Sequence, residues 1–262
     1  MRMHYLYQVK EDSTVEETLL ELTPYLEDIY EMQDPEGENA LIGGYADDPL
    51  PNLLHHCVLI ESASVEEIDW TAQWATFATD FRDGLAHIDL PIPGAPQLLL
   101  KPGGGFGDLS HPTTRLVLSL MSTRVANKTV FDIGCGSGIL TIAAILLGAD
   151  KAIGIDIDKD ALKHSMENAA LNTVSERALF TEDISPELLP KEPYVILMNM
   201  IASEQLAAWP AHPALHSLPA TLITSGILTA AKKTYLDQAK QWGWTLLEEK
   251  SEGEWSAFVF SK

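Results

Sequence analysis

Val130-Phe131-Asp132-Ile133-Gly134-Cys135-Gly136-Ser137-Gly138-Ile139, followed eighteen residues after Gly138 by Asp156 in Gly154-Ile155-Asp156-Ile157-Asp158, decides how this chain folds. Thr129 to Ile133 is a β-branched and aromatic run that suits a buried parallel strand, and three alternating glycines end it. Glycine tolerates the positive backbone angles of a tight turn. Without β-carbons, main-chain N–H groups can also approach a carboxylate, a sugar or a base edge. The apolar run Ile139 to Leu147 continues as a buried helix, and Ala152 to Ile157 reads as a second strand. Asp156, at the end of that strand, can accept both hydroxyl protons of a ribose across the first strand's tip.

Two ligands compete for such a turn. A dinucleotide fingerprint, G-x-G-x-x-G, also lies between strand and helix with an acid about twenty residues on. Here the third glycine comes one residue early and Ile139 takes the place of the pyrophosphate glycine. Asp132, two residues before the turn, would repel a pyrophosphate but can meet the amino group of a methionine moiety. The glycine spacing and Asp132 therefore favour S-adenosylmethionine, and a turn with no ligand is the bland alternative.

From Thr129 onward, strands and helices alternate: strands at 129–133, 152–157, 178–182, 194–198 and 220–225, and helices at 138–147, 159–171 and 229–242. A hairpin of Thr245–Lys250 and Trp255–Ser261 closes the chain. This predicts an α/β fold, a doubly wound, Rossmann-like seven-stranded sheet with an antiparallel last strand. Ligands in such sheets sit at the carboxyl ends of the strands, where Gly134, Asp156, Asp183 and Asn199 should converge. Asp183 is either the acceptor for an adenine amino group or a surface aspartate. Asn199 is either a strand-end turn residue or the group that aims a reacting amine.

The 262 residues carry 38 acidic and 17 basic side chains, a net charge of −21. Met1 to Asp69 holds seventeen acids against Arg2 and Lys10, a net of −15, which leaves −6 for the rest. An acidic body of that strength repels phosphate backbones, so direct nucleic-acid binding is not expected; it either steers a basic protein or only solubilises the chain. A strand at His4–Val9, a helix from Thr14 to about Leu26 and strands at Asn39–Tyr45 and His55–Ser62 predict a small N-terminal α+β module. Val65 to Phe81 reads as a helix with Trp70, Trp74 and Phe77 as a packing stripe. The domains expected are 1–64, an interdomain helix and linker at 65–96, and 97–262. Cys57 and Cys135 have no metal-ligand spacing, and no apolar segment is long enough to span a bilayer. A cytoplasmic monomer with no metal site and no membrane contact is expected.

A second glycine-rich loop, Pro102-Gly103-Gly104-Gly105-Phe106-Gly107, precedes His111-Pro112-Thr113-Thr114, which opens a helix to about Ser122 and offers free N–H donors. His111 reads more simply as a structural histidine than as a proton carrier.

These residues together resemble the class I S-adenosylmethionine-dependent methyltransferases, and within them the ribosomal protein L11 methyltransferases (PrmA). The resemblance covers most of the chain. It rests on Phe106-Gly107 with His111 to Thr114, Asp132 to Gly138, Gly154 to Asp158, Asn168, Asn172, Asn199-Met200-Ile201-Ala202, Ser225 to Leu228, and Asp69-Trp70 with Trp74. It implies methylation of lysine side chains and the N-terminal amine of a ribosomal protein presented by the acidic N-terminal domain. Cofactor contacts are implied at Thr113, Gly134, Asp156 and Asn199, and the set taken for cofactor binding is Phe106, Thr113, Asp132, Gly134, Gly136, Gly138, Asp156, Ile157, Asp183 and Asn199, with Asn199 and Thr113 as catalytic residues. The loop departs from the family at Gly107-Asp108-Leu109-Ser110, where Leu109 replaces a glycine. A methyltransferase of another protein or a small molecule, and a non-catalytic docking protein, therefore stay open as alternatives.

Overall fold

The computed structural model describes residues 3–33, 39–47, 50, 54–64, 71, 75, 80–103, 111–216 and 219–262. The chain divides into two compact units, Met1–Ile68 and Asp69–Lys262. The first comprises β1 (Met3–Val9), α1 (Val15–Leu22), β2 (Glu27–Gln33), β3 (Ala40–Ala46) and β4 (Cys57–Ser64), with sheet order β2-β3-β1-β4. All its strand pairs are antiparallel. Thr14 caps α1 in a reciprocal box: its hydroxyl accepts the Glu17 N–H at 3.2 Å, and the Glu17 carboxylate accepts the Thr14 N–H at 2.9 Å. The helix stops four residues short of Leu26, because Pro24 has no N–H to donate to the next helical hydrogen bond. Leu26 is buried all the same, with Tyr7, Leu22, Ile42 and Cys57. Strand β2 was not expected, since its acids Glu27, Asp28 and Glu31 mask its pattern.

The second unit begins with a three-stranded antiparallel sheet of β5 (Phe81–Arg82), β6 (Leu85–Ile88) and β7 (Leu98–Leu100). Strands β5 and β6 lie in the stretch read as helix and linker. Phe81, expected to end a helix, starts a strand instead, and Asp83-Gly84, with φ of +54° and +75°, make the tight hairpin turn. Trp70, Trp74 and Phe77 lie outside the described residues. Ala86, Ile88, Leu90, Leu98 and Leu100 are all buried.

There follow α2 (Pro112–Met121), β8 (Thr129–Ile133), α3 (Ile139–Leu146), β9 (Lys151–Ile155), α4 (Lys159–Leu171), β10 (Ala178–Thr181), β11 (Tyr194–Asn199), α5 (Ala202–Ala211), β12 (Ala220–Leu228), α6 (Lys232–Gln241), β13 (Thr245–Glu252) and β14 (Trp255–Ser261). They form a seven-stranded, mostly parallel sheet of order β10-β9-β8-β11-β12-β14-β13, with β14 antiparallel to both its neighbours. Alternate side chains feed two cores. Val130, Leu197, Ile223 and Val259 join α2 and α3, whereas Phe131, Ile133, Ile196, Met198, Phe258 and Phe260 join Trp209 and Tyr235. Burial on both faces is why these strands read as unbroken apolar runs. The chain winds one way from β8 and the other way from β11, so the switch point lies between the carboxyl ends of those two strands. No helix among the described residues is long and apolar enough to cross a membrane.

Candidate functional site

The turn after β8 holds Gly134, Gly136 and Gly138 at φ of +73°, +53° and +80°, a geometry that other L-residues rarely adopt. It is tied to the next strand: the N–H groups of Gly134 and Cys135 donate to the Ile155 carbonyl at 2.8 and 3.0 Å. Asp156 lies one residue past β9, and its carboxylate accepts the Gly136 N–H at 2.9 Å and the Asp158 N–H at 3.1 Å. A carboxylate has about four lone-pair sites, so acceptor capacity is left for a sugar diol. Next to it Ile157 is 92% exposed, an apolar side chain standing in water beside the acid.

Asp132 lies deeper than its place before the turn suggests. It is only 1% exposed; the Thr141 hydroxyl of α3 donates to one oxygen at 2.7 Å, and the other oxygen is enclosed with no partner among the described residues. Burial pushes its carboxyl up to about 7, against the Thr141 hydrogen bond, which favours ionisation, and with a small push from the charge of Asp156. Asp183 stays at the exit of β10 with its side chain 84% exposed. It accepts the N–H of Ile184 at 2.7 Å and lies 3.7 Å from the buried ring of His212, whose pKa burial lowers.

Across the switch point, Asn199 ends β11. Its amide donates to the Thr114 hydroxyl at 3.3 Å, and its carbonyl oxygen is buried with no donor among the described residues. Helix α2 supplies that threonine. His111 is its N-cap, with the ring Nδ1 accepting the Thr113 N–H at 3.4 Å and lying 2.8 Å from the Thr113 hydroxyl, so the histidine organises the helix start. Thr113 is itself buried. Phe106 and the Asp108-Leu109-Ser110 loop lie outside the described residues.

Met200, Gln205 and Tyr235, to which the sequence pattern assigns no role, also meet at this site. A β-carbon on Gly134 would fall 2.3 Å from the Met200 methyl, so that side chain lies over the turn. Gln205 is fully buried and donates to the carbonyls of Met200 and Ser225, both at 2.7 Å, while the Tyr235 hydroxyl donates to Gln205 at 2.5 Å. The signal for this bracket was Gly226 in the middle of a strand, at φ +86° and against the Met200 carbonyl.

The sequence pattern described as ribosomal protein L11 methyltransferase (PrmA) matches residues 49–262. A ribosomal protein L11 methyltransferase of Hahella chejuensis is 40% identical over 177 residues, 64% of this chain and 60% of that protein. One from Geobacter sulfurreducens is 35% identical over 232 residues, 86% of this chain and 73% of that protein. The chain thus spans well under the whole length of these relatives. A crystal structure of a ribosomal protein L11 methylase from Lactobacillus delbrueckii subsp. bulgaricus superposes with a TM-score of 0.53 at 27% identity, over 62% of this chain and 83% of that one. With a sequence match over four-fifths of its length and the glycine turn, Asp156 and Asn199 set around the switch point, the chain belongs to the ribosomal protein L11 methyltransferase (PrmA) family.

Proposed function

We propose that this protein transfers methyl groups from S-adenosylmethionine to amino groups of ribosomal protein L11, on lysine side chains, the N-terminal amine or both. The observation that carries this reading is the enclosed oxygen of Asn199, without a donor among the described residues, at the switch point, one strand from the glycine turn. A buried acceptor left without a donor is costly, and an incoming amine N–H would satisfy it.

The residues fit the cofactor. The acceptor capacity left on Asp156 suits the ribose hydroxyls, exposed Ile157 suits one face of the adenine, and the tight turn that positive φ at Gly134, Gly136 and Gly138 allows suits a ligand held by main-chain groups. Asp132, Asp183, Phe106, Thr113 and Asn199 complete the set, with Asp132 tied to α3 through the Thr141 hydroxyl. When bound, the sulfonium supplies an activated methyl group. The protein must then hold a neutral nitrogen about 3 Å from that carbon, in line with the bond that breaks. A lysine starts near pKa ~10.4, so desolvation in the cleft has to favour loss of its proton before attack. Asn199 accepts one N–H and turns the lone pair toward the methyl, which requires no base.

The acidic N-terminal unit would draw in a basic protein substrate, and the protein would work as a cytoplasmic monomer without touching nucleic acid. Incubating labelled cofactor with purified ribosomal proteins and with a metabolite pool tests the proposal. Label in L11 is expected; label only in metabolites would overturn the substrate.

A further inference from the structure

The second glycine-rich loop is entered from the edge of β7, and that edge is met by a helix. His164, Asn168 and Asn172 recur every four residues along one side of α4 and its C-cap. Asn172 accepts the Leu99 N–H at 2.9 Å and donates to the Leu99 carbonyl at 2.6 Å, pairing with that residue as a neighbouring strand would. Asn168 accepts the Lys101 N–H at 2.8 Å, and His164 Nε2 lies 2.8 Å from the Lys101 carbonyl, close enough to donate to it. The next alternate residue, Gly103, lies so close to that ring that a β-carbon would fall 2.6 Å from it. The match is one of pitch. Four helical residues advance about 6 Å, and two strand residues about 6.6 Å, so each side chain meets every second residue of the strand.

Asn168 does one thing more. It is fully buried, and its NH₂ group donates to the carbonyl of Ser137, inside the glycine turn, at 2.9 Å. A single amide therefore joins the two glycine-rich segments: its oxygen holds the strand entering one, and its nitrogen holds the other. Among the described residues, the hydrogen bonds of the Asn172 side chain go to the strand and to its own helix.

We propose that Asn168 is a positioning residue for the cofactor, fixing residues 99–103 against the turn at 134–138 so that the turn meets the bound molecule in one register. The inference rests on the cofactor assigned above. It separates Asn168 from Asn172, since both support the fold but only the former reaches the turn.

The test is calorimetric titration of the full-length wild type, Asn168→Ala and Asn172→Ala with S-adenosylmethionine, with thermal melts and steady-state kinetics alongside. Both variants are expected to melt lower. Only Asn168→Ala should weaken cofactor binding, by about tenfold, as a raised KM for the cofactor with kcat at saturation little changed. Equal affinity in all three proteins, or equal weakening in both variants, overturns the proposal. A wild type that does not bind overturns the assigned cofactor itself. Amide hydrogen exchange on the wild type covers an Asn168→Ala protein that does not fold: the cofactor should protect the Lys101 amide together with Gly134 to Gly138, and protection confined to the turn overturns the coupling.

Discussion

Asp156 already accepts two backbone N–H groups before any sugar arrives, so the turn and the acid are organised as one unit. If Asp156 accepts the ribose hydroxyls as proposed, Asp156→Ala removes charged acceptors for both and is expected to weaken S-adenosylmethionine binding by about 1.5–3 kcal/mol, read by calorimetry. Asn199→Ala should weaken that binding less than Asp156→Ala does yet lower kcat about a hundredfold, because it loosens chiefly the aim of the amine. Asp132 gives a pH signature. Its folded-state pKa of about 7 is above the ordinary carboxylate value, so between about pH 4 and pH 7 the folded protein keeps a proton that the unfolded chain releases, and stability falls as pH rises through that window. Asp132→Asn keeps an acceptor for Thr141 and removes the titration. Urea denaturation at pH 5 and pH 7.5 should show a smaller loss in the variant than in wild type. Asp156 and Asn199 were legible because strand-end polar residues on a parallel sheet have few purposes. The depth of Asp132 was not, because position before a turn does not say which way a side chain faces.

Among the elements, the strand, glycine turn, helix and acid from Thr129 to Asp158 could be placed within two residues, since each boundary is marked by glycine or a charged cap. Helix α5 escaped notice: Pro210 sits inside it and its apolar face is short. Strands β5 and β6 were hidden by their length, although Asp83-Gly84 was a readable hairpin signal. The bracket behind Asn199 belongs to this scale. A β-carbon at Gly226 would lie 2.2 Å from the Met200 carbonyl, which is backbone and cannot move aside, and φ is +86°. At Gly134 the obstacle is only a flexible methyl. Gly226→Ala should therefore cost about 3 kcal/mol in chemical denaturation, against about 1–2 kcal/mol for Gly134→Ala.

For the molecule as a whole, charge is divided as unevenly as structure: −14 of the −21 falls in Met1–Ile68, sixteen acids against two bases, a unit with its own small core. That imbalance was plain in the sequence, whereas the order of strands in the N-terminal sheet was not, because β1 pairs with residues far along the chain on both sides, Met3 with Ala46 and with Ser64. If the acidic unit steers a basic substrate, raising ionic strength should raise the KM for L11 markedly and leave the affinity for S-adenosylmethionine nearly unchanged. Equal salt effects on both would assign the charge to solubility. The most direct measurement is mass spectrometry of purified L11 after incubation with S-adenosylmethionine and this protein, with Asn199→Ala in parallel. Mass gains of whole methyl groups on L11 amines are expected with the wild type and far fewer with the variant; an L11 of unchanged mass would rule out the proposed activity.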